Sequence, residues 1–256
     1  MKKKKNRKRI IITILFIVIE ILFYITLLYL DIYVDHAVNI SNYIKFTSIL
    51  LCFLYSLMNY KNISLEKKDM THKELPKSSF GNHVLKTALF FTVVSDVFLL
   101  LLDYYSIGIS TFILVQFLYL IRISTWVSSG KVIKSVLLKT IGSGLVAALI
   151  LVIYHFWLDT PIQSEIVLGA FYFTLFLSNV IDGIGILFRS KKTYRILFAC
   201  GLLAYFICDI NVALFNLTDY LTINNSIYAP IYQFSSIAMW AFYLPGQVAI
   251  ALSGEM

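Results

Sequence analysis

Apolar positions in this chain fall in unbroken runs, with neither the stripes of a soluble helix nor the alternation of a half-buried strand. The runs are Ile10–Leu30, Asn42–Asn59, Val84–Leu102, Tyr105–Thr125, Ser135–Trp157, Glu165–Phe188, Arg195–Leu217 and Pro230–Leu252. A helix needs roughly 20 apolar residues to cross the hydrocarbon of a bilayer. Backbone groups in lipid must be satisfied inside their own segment. The pattern therefore predicts an all-α, polytopic membrane bundle of about eight transmembrane helices. Continuous rather than alternating runs argue against a β-barrel. The connections are short: the longest, Tyr60–His83, is polar and mixed in charge, and Thr160–Pro161 and Asn224–Asn225 carry turn chemistry. The first run is longer than the apolar part of a signal peptide and no small-residue cleavage site follows it, so it is expected to be an uncleaved span.

Polar residues inside the runs narrow the picture. A charged side chain in hydrocarbon costs a few kcal/mol on insertion scales and usually turns to the bundle interior. Glu20, Asp96, Asp182 and Asp209 are such carboxylates, with Asp182 near the end of its span, where it could simply reach the cytosol. Positions three, four and seven apart share a helix face. On that basis Thr13, Glu20, Tyr24 and Asp31 align, as do Lys45, Cys52, Tyr55 and Asn59. Gly108, Phe112, Gln116 and Tyr119 form a third stripe, and Gly201, Tyr205, Asp209 and Asn216 a fourth. Tyr232, Ser236, Trp240, Tyr243 and Gln247 form the last. Five such seams suggest one shared polar cavity. Single Gln or Tyr residues also serve simply to glue membrane helices together, and Tyr104, Tyr105 and Trp157 suit interface anchors.

Charge then orients the bundle. The composition is 59% apolar and 14% charged, with a net charge of +8. Placing the N-terminus inside and alternating puts 21 of the 22 Lys and Arg residues on the cytoplasmic side and leaves only Lys45 outside. Both chain ends are then cytoplasmic, residues 1–9 form a basic cytoplasmic tail, and residues 10–253 form the membrane domain. The same placement explains the positive charge without nucleic acid, for which no soluble basic domain exists. Cys52, Cys200 and Cys208 lie inside runs and suit small buried hydrophobes. P-loop, G-x-S-x-G and H-E-x-x-H patterns are missing. His36, His72 and His83 lie in loops and His155 at a helix end, so neither a metal nor a cofactor is expected.

Four segments carry a family resemblance: FFTVVSDVFLL, YSIGISTFILVQFLYLIR, GLLAYFICDINVA and WAFYLPGQVAIALS. Their order and spacing resemble the lysoplasmalogenase-like (YhhN-type) membrane proteins, which are eight-span proteins. The matching positions are Asp96, Tyr119, Asp209, Tyr243 and Gln247. Two departures stand out: Ser95 where the family has Gly, and Gln116 where it has His. Gln hydrogen-bonds but cannot shuttle a proton.

The resemblance implies hydrolysis of the vinyl ether bond of a lysoplasmalogen, giving an aldehyde and a glycerophospho head group. Protonating the vinyl carbon needs a carboxylic acid, and attack of water on the resulting oxocarbenium ion needs a carboxylate. Two carboxylates in one low-dielectric pocket do not readily ionise together, so one can be acid while the other is base. Asp96 and Asp209 are the expected pair. Gln116, Tyr119, Tyr205, Trp240, Tyr243 and Gln247 are expected to hold water or substrate, and Lys45 to meet a lipid phosphate. The expected partner is a single-chain ether phospholipid, and the expected location a bacterial plasma membrane. The competing reading is a proton-coupled small transporter or a non-catalytic lipid-binding protein, since the same carboxylates could serve it. Transport would favour broken helices, and Pro245 is the exception in spans with little internal Pro.

Overall fold

The computed structural model describes residues 2–34, 38–58, 75–127, 131–158, 162–221 and 223–254. Asn59, the segment 60–74, His36, His72 and the turn at Thr160–Pro161 lie outside them, as does the side chain of Trp157. The described residues form α1 (Lys2–Tyr33), α2 (Val38–Met58), α3 (Leu75–Asp96), α4 (Tyr105–Val127), α5 (Val132–Leu158), α6 (Ser164–Arg189), α7 (Thr193–Phe215) and α8 (Asn225–Leu252). A π-helical turn, Val97–Leu101, continues α3, and a 3-10 turn, Leu217–Asp219, follows α7. All eight helices are long and apolar enough to cross a membrane. The basic stretch expected to be a tail is helical from Lys2 and forms the first turns of α1.

Short connections oblige successive helices to run antiparallel. The polar seam of α1 faces that of α2. Along it the Thr13 and Tyr55 hydroxyls lie 2.9 Å apart, Ser48 donates to Glu20 at 2.5 Å, Ser41 donates to Asp31 at 2.6 Å, and Lys45 pairs with Asp31 at 3.2 Å. In lipid, such bonds replace the hydrophobic effect as the directional part of helix association.

The tightest crossing joins α7 and α8. A Cβ on Gly201 would stand 2.7 Å from the Gly246 carbonyl oxygen and 3.0 Å from the Ile250 nitrogen. Only hydrogen at both glycines lets the two backbones touch. Pro245, beside Gly246, removes the N–H that would bond the Ala241 carbonyl four residues back. That carbonyl accepts instead from the Tyr24 hydroxyl of α1, at 3.3 Å, and α8 runs unbroken through both Pro230 and Pro245.

Just beyond this crossing, at the C-terminal end of α8, Arg122 of α4 is buried, with 1% exposure. Its guanidinium donates to the Ser253 hydroxyl and carbonyl, both at 2.9 Å, and so caps the helix C-terminus. The periphery belongs to α5, which leans on α6 through a two-way Ser143–Thr174 contact. Asp182, read as able to reach the cytosol, is held by Lys139 of α5, the pairing that an ion at a lipid boundary favours.

Orientation rests on the charge bias. In a cysteine-free background, a single cysteine at position 225 is expected to react with an impermeant reagent in intact cells, and one at position 68 only after permeabilisation. Labelling at 68 alone would reverse the topology.

Candidate functional site

Asp96 is the last residue of α3 before the helix widens. The Leu102 N–H reaches back to the Val97 carbonyl at 3.1 Å and the Tyr104 N–H to Phe98 at 2.8 Å, and Asp103 takes a positive φ of 54°, a conformation that Asp tolerates better than most residues. Single π turns inside α-helices recur at functional sites. The turn is locked against α4: Ser95 donates to the Gly108 carbonyl at 2.6 Å, and Thr111 lies 2.9 Å from Ser95. A Cβ on Gly108 would overlap the Leu99 side chain at 2.4 Å. Ser95, where the resembled family has Gly, is therefore a structural bond that fixes the residue next to Asp96.

The Asp96 carboxylate is enclosed, with 3% exposure. It accepts from the Tyr243 hydroxyl of α8 at 2.8 and 3.0 Å. Asp209 of α7 is partly buried and accepts from the Tyr172 hydroxyl of α6 at 2.5 Å. Between the two stands Tyr205. Its hydroxyl lies 3.3 Å from that of Tyr172, and its ring lies 5.4 Å from that of Tyr243. The Cys208 thiol is within electrostatic reach of both carboxylates. The outcome is one continuous cluster, Asp96–Tyr243–Tyr205–Tyr172–Asp209, drawn from four helices. The close α7–α8 crossing sets the spacing at its centre.

The other expected residues divide into two groups. Lys45 and Trp240 lie at one flank. The Lys45 ammonium sits 4.2 Å over the Trp240 ring, which packs edge-on against Tyr243 at 5.6 Å. Lys45 is buried and paired to Asp31, so a phosphate would meet it in exchange for that carboxylate. Gln116, Tyr119 and Gln247 are fully buried and form the second group. Gln116 accepts from Asn179 of α6 at 3.0 Å, and Tyr119 stacks edge-on against Phe198 at 5.3 Å. Among the described residues the Gln116 amide nitrogen, the Tyr119 hydroxyl and both polar atoms of Gln247 have no hydrogen-bond partner. An unpaired buried polar group costs roughly 1–3 kcal/mol, which a polar ligand group would relieve.

Tyr172 and Asn179 were not among the expected site residues. Both lie on the buried face of α6 with Phe176 and Gly183, and the seven-residue spacing between Tyr172 and Asn179 was the available signal. A shallow groove of about 210 Å³ lined by Phe23, Ile40, Tyr43, Ile44 and Thr47 shares no residue with the cluster.

Against known proteins, the YhhN family model matches residues 40–254. Neither the curated proteins nor the solved structures give a match. The matched stretch begins inside α2, so α1 and its Glu20 lie ahead of it.

Proposed function

The chain belongs to the YhhN family, and on that premise we propose that this multi-pass membrane protein hydrolyses the vinyl ether bond of a lysoplasmalogen-type lipid. The observation that carries the reading is the pair of carboxylates joined by three tyrosines inside an apolar helical bundle.

The chemistry is balanced between the two acids. One carboxyl gives its proton to the vinyl carbon distal to the ether oxygen. The adjacent carbon becomes an oxocarbenium ion, and the other carboxylate takes a proton from the water that attacks it. The hemiacetal then collapses to an aldehyde: the second carboxyl protonates the departing glycerol oxygen of the head group and the first carboxylate takes the hydroxyl proton, which restores both groups. Tyr243 and Tyr172 hold the carboxylates in place. Gln116, Tyr119 and Gln247 offer unmatched polar groups to water or the glycerol, and Lys45 beside Trp240 offers a cation to the phosphate. Proton-coupled transport would use the same carboxylates, but the uninterrupted course of α8 favours hydrolysis. On this reading both ends lie in the cytoplasm, in keeping with the charge bias, the protein belongs to a bacterial plasma membrane, and the lipid enters from the bilayer.

The test is release of aldehyde from lysoplasmalogen by the purified protein, with a diacyl phospholipid as the control. Release is expected only from the vinyl ether. Gln116→His is expected to raise turnover by about tenfold or more, because imidazole adds a proton carrier where the amide now only accepts from Asn179. An unchanged or lower rate would remove position 116 from the proton chemistry.

A further inference from the structure

At the end of the bundle that the charge bias assigns to the cytoplasm, α4 and α7 bring two arginines to one indole. The Arg122 guanidinium lies 4.9 Å from the centre of the Trp126 ring and 4.6 Å from that of Phe198. The Arg195 guanidinium lies 5.5 Å from the same Trp126 ring and 5.7 Å from that of Tyr194. Trp126 is held edge-on against Tyr194 at 5.8 Å and against Phe198 at 5.4 Å. Arg122 is buried, whereas Trp126, Tyr194 and Arg195 are half-buried. The recess therefore has a closed back and an open mouth. What it lacks is an anion. Among the described residues neither arginine is paired with a carboxylate, and the Nε of each is buried without a hydrogen-bond partner. Asp182, the described carboxylate toward this end, is taken by Lys139. Arg122 directs its Nη groups at Ser253, where the α8 terminus offers about half a negative charge. Arg195 has no comparable partner among the described residues. Buried cations are normally matched by an anion, and two like charges around one ring also repel each other.

We propose that this recess between α4 and α7 binds the phosphate head group of an anionic lipid of the inner leaflet. At the edge of the hydrocarbon the anions in reach are lipid phosphates, and basic pockets between helices on the cytoplasmic side hold such head groups. Arg195, at the open mouth, makes the contact, because a planar guanidinium presents paired donors to phosphate oxygens. Arg122 lies behind the ring and adds charge without touching the lipid. Trp126 suits the interface by type and holds both guanidinium groups against its ring. The site shares no residue with the carboxylate cluster and does not rest on the hydrolytic reading. A phosphate bound there ties α4 to α7, and the bundle gains stability as the lipid concentration rises.

In the experiment, the purified full chain in detergent is titrated with phosphatidylglycerol, with phosphatidylcholine and with inorganic phosphate, and followed by native mass spectrometry and by its thermal midpoint. Phosphatidylglycerol is expected to bind and to raise the midpoint, and the other two to bind far more weakly. Arg195→Gln should weaken phosphatidylglycerol binding roughly fivefold, about the contribution of one basic side chain near an anionic surface, with the lipid-free midpoint unchanged. Arg195→Lys keeps the charge without the fork and should recover part of the loss. Lys134→Gln, which removes an exposed charge on α5, should leave the affinity as it is. Arg122→Gln also uncaps α8, so Arg195 carries the test. Equal losses in Lys134→Gln and Arg195→Gln reduce the binding to diffuse attraction and overturn the site. Inorganic phosphate stabilising as strongly as the lipid assigns the recess to a soluble anion and overturns the lipid. Binding that appears only in Glu255→Gln shows that a carboxylate of the chain itself fills the recess, and wild-type affinity in Arg195→Gln removes the site altogether.

Discussion

Asparagine in place of Asp96 or of Asp209 is expected to lower aldehyde release by at least about a hundredfold. Asparagine preserves the volume and one acceptor oxygen, so Tyr243 can still donate at position 96 and Tyr172 at position 209. What is lost is the proton that a carboxylic acid gives and a carboxylate takes. General acid–base groups contribute on the order of 10²–10⁴-fold, and a hundredfold loss corresponds to about 2.7 kcal/mol of transition-state stabilisation. Because the two act in one reaction, the double variant should be little worse than either single one. Tyr243→Phe and Tyr172→Phe leave the carboxylates in place and should cost less than either asparagine. Steady-state rates with lysoplasmalogen, measured on protein that elutes and melts like wild type, decide the matter. Full activity in both asparagine variants would place the chemistry elsewhere in the bundle.

Gly201→Val is expected to destabilise the whole assembly by about 1–3 kcal/mol, the range for overpacking, and to abolish activity with it. The added Cβ would meet the Gly246 carbonyl and the Ile250 nitrogen, which are backbone atoms and cannot rotate aside. Relief requires α7 and α8 to separate. That movement draws Tyr205 away from Tyr243 and opens the row joining the carboxylates. Gly169→Ala is the control, because nothing lies within 4 Å of a Cβ there, and its midpoint should match or exceed that of wild type. The measurement is the thermal midpoint in detergent micelles. A Gly201→Val protein melting with the wild type would show that the helices have room to spare.

All eight spans were legible, because in lipid the length of an apolar run and the absence of charge are almost the whole requirement on a spanning segment. The π turn was not: Val-Phe-Leu-Leu-Leu reads as one more stretch of apolar helix, and only packing against Gly108 and Ser95 makes it widen. Stripe arithmetic placed Glu20 and Asp31 on one face of the first span and Lys45 and Cys52 on one face of the second. It could not say that the two faces meet, since pairing between helices depends on tertiary arrangement. Tyr172 escaped for a related reason. Among Phe171, Phe173 and Phe176 a tyrosine looks like core, and its role emerges only when α7 brings Asp209 against it. The family motifs supplied the two aspartates and Tyr243 and stripe arithmetic supplied Tyr205, whereas Tyr172 and its contact with Tyr205 came from geometry alone.

The contact between Tyr24 and the carbonyl left free by Pro245 joins the first helix to the last. During synthesis α1 enters the bilayer long before α8 leaves the ribosome. Until then Tyr24 lacks its acceptor, and Lys45 lacks the indole it lies over. The bundle is thus a ring whose clasp is made last. A chain stopped after α7 would carry Asp96 and Asp209 but lack Tyr243, so the cluster is complete only once α8 is in place.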